Sequence, residues 1–453
     1  MDIYTKQTKI NVPVEKLFKW HENKGAILRL TPLWAPLKLI WRSGLGIKKG
    51  ISVKFKIYLL KIPFDWHAEH IEYQKNKIFV DRQTKGPFAK WEHTHEFEAI
   101  TDTSSIMKDK IKFKLPFGFL SYPFYGFAKK EFERMFSYRH RVLKHDLENN
   151  DFDKKRILIS GSSGTIGSIL VPYLQAKGHE VIKLVRKKEN LLDDEIFWNP
   201  YKGILNLKKE DCFDAVINLN GVDISKKRWT QKQKKIIIDS RVIPTKFLTK
   251  SIQNLEKKPK VFISSSAIGF YGGNQDELLN ENSSKGDVFI AQVCEKWENA
   301  SLKVVKAGIR TINLRTGIVL TPTGGALAKM QTPFKIGLGV FLSNGKQYMS
   351  WVSIDDVLSA ILYMIHNENI KGPVNLTSPY PVDNKEFSKT LANAFGKKVF
   401  FALPKFMVKL IWGEMGETTL LSSMKAMPEK LLNNGFSFQH KNLLQTFKDI
   451  LGK

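Results

Sequence analysis

The chain has 453 residues, 42% of them hydrophobic and 11% aromatic. That is enough apolar surface to fill large cores and excludes global disorder. Against 44 Asp and Glu stand 72 Lys and Arg, a formal charge of +28; residues 1–150 carry 28 basic and 16 acidic side chains, so the excess is spread along the chain rather than gathered in a basic arm. No nucleic-acid partner is expected from such a surface. With 2 cysteines, Cys212 and Cys294, neither a disulfide framework nor a four-cysteine zinc site can form. No stretch approaches the ~18 apolar residues of a membrane span, and the opening MDIYTKQTKINV lacks the apolar core of a signal peptide. A cytoplasmic protein without stable membrane insertion is expected.

The first 147 residues alternate. ISVKFKIYL (51–59), HAEHIEY (67–73), KIFVDRQ (77–83), WEHTHEFEAI (91–100) and SIMKDKIKFKL (105–115) read as half-buried antiparallel strands. In one of them Trp91, His93, His95 and Phe97 share a face opposite Glu92, Thr94, Glu96 and Glu98. His93 and His95 have no third ligand spaced near them, so no metal is expected and a buried or cavity-lining pair is. The aromatic run FGFLSYPFYGF (117–127), broken by Pro123, is expected to pack in the core or against a cavity. FAKKEFERMFSYRHRVLKHDLENN then has helical spacing, with Phe127, Phe132, Met135, Phe136 and Val142 on one side. The polar, apolar-poor stretch at 148–154 reads as a linker.

From Arg156 strands alternate with helices, the pattern of βαβ units and a parallel sheet. RILISGSSGTIG is a buried strand running into a glycine turn, and SILVPYLQAKGH is the helix it opens; HEVIKLV, DAVINLNG, KVFISSSAIGFYG and RTINLRTGIVL supply further strands. In the turn, Gly161 permits the tight bend, Gly164 lets backbone approach a pyrophosphate, and Gly167 lets helix pack on strand. Ser162, Thr165 and Ile166 complete the turn, whose helix N-terminus offers N–H groups to an anion. A dinucleotide site is therefore expected. The second strand ends in Arg186-Lys187-Lys188 with no acid to accept from a ribose 2′-hydroxyl, which points to NADP rather than NAD and makes Arg186 the candidate 2′-phosphate ligand.

The GxxGxxG spacing of Gly161, Gly164 and Gly167 resembles that of the short-chain dehydrogenase/reductase superfamily. SSSAIGFYG (264–272), INLNG (217–221), LRTGIVL (314–320) and WVSIDDV (351–357) are similar to segments of its extended, epimerase/dehydratase branch. More narrowly, KKRWTQKQKKIIIDSRVIPT (226–245), FIAQVCEKWE (289–298), GGALAKMQTPFKIGLGV (324–340), NGKQYMSWVSIDD (344–356) and GPVNLTSPYPV (372–382) resemble a bacterial epimerase-like family of unknown substrate that ends in a short helical domain of unknown function. The resemblance implies a Rossmann doubly wound parallel sheet over 155–400, a helical lobe over 401–453, and Asn220 and Gly221 beside the cofactor. It also implies a catalytic serine, Ser266, followed by a Tyr-x-x-x-Lys pair. Anchoring on Glu298 puts Ile290 and Cys294 in those two positions, so Tyr271 becomes the candidate proton-transfer group beside Ser266. Residues 1–147, through DRQTKGPFAKWEHTHEF (81–97) and ERMFSYRHRVL (133–143), are similar to the polyketide-cyclase/START-like superfamily, which implies an α+β helix-grip domain around an apolar, ligand-holding cavity. Two functions follow: an NADP-dependent oxidoreductase or epimerase-like enzyme acting on a small molecule with altered acid/base residues, or a weakly catalytic NADP-bound sensing protein whose first domain carries a hydrophobic ligand.

Overall fold

Seven antiparallel strands account for most of the first 114 residues: β1 (Asp2–Ile10), β2 (Leu37–Arg42), β3 (Ser52–Leu59), β4 (Ile62–Gln74), β5 (Ile78–Lys85), β6 (Lys90–Thr101) and β7 (Ser104–Lys114). Strands β2 to β7 form a meander, and β1 pairs with β7, giving the order β1-β7-β6-β5-β4-β3-β2. The computed structural model describes residues 1–35, 37–59, 62–149, 152–273 and 277–453; Asn150 and Asp151 of the expected linker lie outside them. One face of the sheet receives α1 (Val14–Glu22) and the 24-residue α2 (Tyr125–Glu148). Phe132 of α2 meets Phe113 and Trp91 at ring separations of 4.9 and 5.5 Å, and Phe18 of α1 meets Phe97 at 5.0 Å. The sheet thus grips a helix through aromatic contacts. Buried Asp146 of α2 accepts two hydrogen bonds of 2.9 Å from buried Arg29, a bidentate pair that fixes the end of the helix.

The aromatic run corrects an expectation. Phe117, Phe119, Leu120, Tyr122, Phe124 and Phe127 are exposed rather than packed in the core. Phe117 and Gly118 take positive φ (67° and 55°), and Gly118–Phe124 follows as a 3-10 turn containing Pro123, so the run leaves the sheet instead of continuing it. Among the described residues no helix is long and apolar enough to cross a membrane.

The chain divides into two compact units, one of Met1–Lys154 with Pro172–His179 and Gly452, the other of Lys155–Val171, Glu180–Leu451 and Lys453. The second is built on β8 (Arg156–Ser160), β9 (Glu180–Val185), β10 (Glu195–Asn199), β11 (Ile204–Leu205), β12 (Ala215–Asn218), β13 (Val261–Ala267), β14 (Arg310–Thr316) and β15 (Gly372–Leu376). Their order is β11-β10-β9-β8-β12-β13-β14-β15, parallel except for β11. This is a Rossmann doubly wound sheet, with helices α3 (Gly167–Ala176), α4 (Gln231–Gln253), α5 (Phe289–Ser301) and α6 (Ile354–His366) among its connections. Strands β8 and β12 are fully buried runs such as Ile157-Leu158-Ile159 and Ala215-Val216-Ile217, as strands covered on both faces must be. The chain order reverses between β8 and β12, which places the topological switch point there. In the last stretch, α7 (Asn384–Ala394) and α9 (Leu443–Leu451), with α8 (Lys405–Trp412) between them in sequence, share a core in which Phe387 meets Phe447 at 5.2 Å.

Candidate functional site

The glycine turn sits at the carboxyl end of β8, beside the switch point. Gly161 has φ +78°, and a Cβ there would lie 2.7 Å from the Leu219 carbonyl oxygen at the end of β12. A Cβ on Gly167 would fall 2.3 Å from the Gly161 carbonyl oxygen, so the helix can start this close to the strand only without a side chain. Gly164 is exposed, and its Cβ position meets only the Gly161 oxygen, at 3.3 Å. Thr165 is exposed beside it, Ser162 and Ile166 are half-buried, and α3 opens at Gly167.

Below the turn a buried polar lattice ties the strand ends together. Ser160 Oγ donates to Asn218 Oδ1 (2.9 Å), Asn218 Nδ2 donates to Thr245 Oγ1 (2.7 Å), and Asn220 Nδ2 donates to Ser160 Oγ (2.7 Å) and Asn218 Oδ1 (2.6 Å). Trp297 Nε1 donates to the same Thr245 hydroxyl (3.1 Å). Asn220 thus braces the β8–β12 edge with its amide. Gly221 is covered by the Arg241 guanidinium, 3.2 Å from its Cβ position, while Arg241 donates to the Val222 carbonyl and lies 5.1 Å over the Trp297 ring. Asn218, Thr245 and Arg241 were not singled out in the sequence. Arg186 follows β9 directly, is exposed, and has no hydrogen bond or ion pair among the described residues, whereas Lys187 is held by Glu195 at 2.7 Å.

Two strands over, cross-strand register sets Ser266 beside Arg315 and Arg315 beside Asn375. Ser266 Oγ donates to Glu298 Oε1 of α5 at 2.7 Å, and Arg315 clamps both oxygens of Glu298 at 2.9 Å. Arg315 also donates to the Tyr271 hydroxyl at 3.2 Å, which in turn donates to Asn375 Oδ1 at 2.7 Å. Burial pulls Arg315 down, but the Glu298 carboxylate outweighs it, and its pKa is raised. Burial pushes Tyr271 up, with Arg315 opposing. Tyr271 is fully enclosed, its hydroxyl consumed within this row. That position argues against the proton-transfer role expected for it, since no substrate reaches a group with no exposed surface. Cys294 lies against Ser266, is buried, and is pushed up to about 12 by burial first and by the Glu298 charge second, which keeps it a protonated thiol. Ile290 is buried against Gly269.

The first unit holds a second polar concentration. Register pairs His70 with Asp81, Asp81 with His93, and His95 with Asp109 across β4 to β7. His70, Asp81, His93 and His95 line a cavity of about 180 Å³ whose other walls include Leu30, Ile47, Trp66, Phe79, Trp91 and Arg139. Asp81, twelve residues from His93 in sequence but adjacent in the sheet, brings a carboxylate oxygen within 4.8 Å of a nitrogen of each of the two rings.

A fold of this order, with a glycine turn at the switch point, defines a nucleotide-binding α/β protein of the dehydrogenase/epimerase type. Residues 157–376 match the NAD dependent epimerase/dehydratase family, and 403–450 match a domain of unknown function, DUF1731. An epimerase family protein of Mycobacterium leprae is 39% identical over 290 residues, 64% of this chain and 94% of the relative. The chain belongs to this epimerase family. Among solved structures, the nucleoside-diphosphate sugar epimerase of Corynebacterium glutamicum aligns with a TM-score of 0.80 and 29% identity, covering 99% of this chain and 90% of that one. The human epimerase family protein SDR39U1, solved with NADPH, aligns at 0.61 and 29%, covering 65% of this chain and 99% of its own.

Proposed function

We propose that the second unit binds NADP(H) at the glycine turn and acts as an oxidoreductase or epimerase-like catalyst on a small molecule, without a tyrosine–lysine pair. The observation that carries this is the turn itself: it closes so tightly that a Cβ at Gly161 or Gly167 would strike the backbone of Leu219 or Gly161, and it leaves Gly164 exposed at a helix N-terminus. Those residues fit a pyrophosphate, and the unpaired Arg186 fits a 2′-phosphate. The SDR39U1 relative solved with NADPH supports the same choice. Bound nicotinamide supplies hydride transfer. Ser266, near the carboxyl end of interior strand β13, has its proton committed to Glu298, leaving its oxygen lone pairs to accept from a substrate hydroxyl. Titration with NADPH and NADH tests the cofactor assignment. NADPH is expected to bind more tightly, with Arg186→Ala removing about tenfold of the preference; equal affinities unmoved by Arg186→Ala would overturn it. Ser266→Ala should abolish substrate-dependent NADPH oxidation.

The enclosed Tyr271 and protonated Cys294 favour a second reading, a slow or silent NADP-bound sensor whose first unit, START-like by sequence, carries a hydrophobic ligand in its cavity. Absence of turnover across a broad carbonyl panel, with NADPH binding intact, would select it.

A further inference from the structure

We propose that Asp81, His93 and His95 form a binding site for one divalent transition metal ion, open to the cavity of the first unit. Neighbouring strands β5 and β6 put the three side chains on one inner face, and one ligand atom from each lies within 4.8 Å of the others. His93 and His95 are 3% exposed, and apart from the cavity they face only protein.

The hydrogen-bond pattern distinguishes this cluster from an ordinary buried histidine pair. Each ring faces a different carboxylate with each nitrogen. Toward Asp109 the contacts are short: His93 Nε2 at 2.9 Å and His95 Nδ1 at 2.7 Å from the same oxygen. Toward Asp81 they are longer, 3.3 Å from His93 Nδ1 and 3.5 Å from His95 Nε2. If His93 donates its Nε2–H to Asp109, its Nδ1 lone pair converges with a carboxylate oxygen of Asp81 and with His95 Nε2, while His95 Nδ1 lies beside the same Asp109 oxygen without a hydrogen bond. Lone pairs and an anionic oxygen repel unless a cation lies between them. A tetrahedral ion with bonds of about 2.0–2.1 Å has ligand–ligand edges of about 3.3–3.4 Å, close to both separations.

Asp109 supplies the outer shell that such a site requires. Metal-bound histidines characteristically give their second N–H to a carboxylate, which fixes tautomer and orientation. Asp109 is 1% exposed and is itself steadied by His140, whose Nε2 lies 2.6 Å from its other oxygen and whose Nδ1 contacts Thr8 Oγ1 at 2.7 Å. An independent observation also points to a ligand. His70, 8% exposed, on the register row of Asp81 and among the cavity's lining residues, has a buried Nδ1 with no hydrogen-bond partner. Two nitrogens and one oxygen with no thiolate suit zinc or ferrous iron rather than copper(I) or calcium. Arg139 on the cavity wall has no hydrogen bond or ion pair among the described residues. A small molecule with an anionic oxygen on the metal would satisfy it.

The test uses the full chain, stripped with a chelator, dialysed, and titrated with Zn²⁺ by calorimetry and with Co²⁺ by visible absorbance. One equivalent is expected, with the ligand-field bands of a low-coordinate nitrogen/oxygen site. His93→Gln and His95→Gln should each weaken Zn²⁺ by at least about 100-fold, and Asp109→Asn by about 10- to 100-fold by releasing the rings. Thermal melting guards against misfolded variants: Zn²⁺ should raise the melting temperature of the wild-type chain and leave both glutamine variants unmoved. Less than one-tenth equivalent bound to the wild-type chain would overturn the proposal and leave a proton-sharing histidine–aspartate network. Stoichiometric binding that survives both glutamine substitutions unchanged would overturn it equally.

Discussion

The row Ser266–Glu298–Arg315–Tyr271–Asn375 and the cluster His70–Asp81–His93–His95 are built alike, from polar side chains brought into register by adjacent strands. They differ in what remains unsatisfied. In the row, Ser266 gives its proton to Glu298, both Glu298 oxygens are clamped by Arg315, and the Tyr271 hydroxyl is shared between Arg315 and Asn375. Around the cavity, His70 Nδ1 and the Arg139 guanidinium have no hydrogen-bond partner among the described residues. A saturated buried network stabilises and orients; one with open valences is built to hold something else. The difference therefore marks Glu298, Arg315, Tyr271 and Asn375 as the scaffold that orients Ser266, and the cavity cluster as groups with valences to spare, although both places contain titratable groups.

The largest effect should come from breaking the saturated row. Arg315→Ala strands the Glu298 carboxylate, 8% exposed, and should cost about 3–5 kcal/mol of unfolding free energy, read by chemical denaturation. A loss under about 1 kcal/mol would mean that the row is not the tightly coupled unit its distances describe. Next comes the turn: Gly167→Val places a side chain 2.3 Å from the Gly161 oxygen and should weaken NADPH at least about 100-fold, while the first unit's melting transition stays in place.

These sites were unequally legible in the sequence. The glycine turn was readable because seven consecutive residues hold the whole cradle, and strand and helix flank it. Asp81 was not, because its partners His93 and His95 lie on the next strand, and only register brings them together. Glu298 served as a landmark without its role being visible, since it lies on helix α5 and the Arg315 that binds it on strand β14. The aromatic run misled for the opposite reason: its composition suggested a core, but two positive-φ residues at its start and Pro123 within it turn it out to solvent.

A smaller effect, of opposite sign, sharpens the comparison from the cavity side. Arg139 is drawn below its ordinary pKa by burial, with Asp109 and Asp81 opposing. Its guanidinium lies 5.0 Å from the Phe136 ring. Replacing a half-buried cation that has no ion pair among the described residues with an apolar side chain of similar length removes a desolvation cost. Arg139→Met should therefore stabilise the ligand-free chain by about 0.5–2 kcal/mol, measured as a rise in the denaturation midpoint. Destabilisation would show that the guanidinium is already satisfied, and the contrast between the two regions would lose half its basis.

The smallest effect concerns the thiol inside the saturated region. Cys294 is pushed from an ordinary value near 9 up to about 12, by burial first and by the Glu298 charge second. Because the folded state holds this proton more tightly than the unfolded state, the associated stability is complete below pH 9 and is lost as pH rises toward 12. The slope is at most about 1.4 kcal/mol per pH unit. Cys294→Ser should flatten that alkaline decline and leave stability at pH 7 less affected. At pH 8 a maleimide should modify one thiol per native chain, the part-exposed Cys212, and two once the chain is unfolded. The reagent reports accessibility and charge together, so the alkaline stability profile is needed to assign the protection to the proton. Equal reaction rates for both cysteines in the native chain would show that Cys294 is not protected by burial.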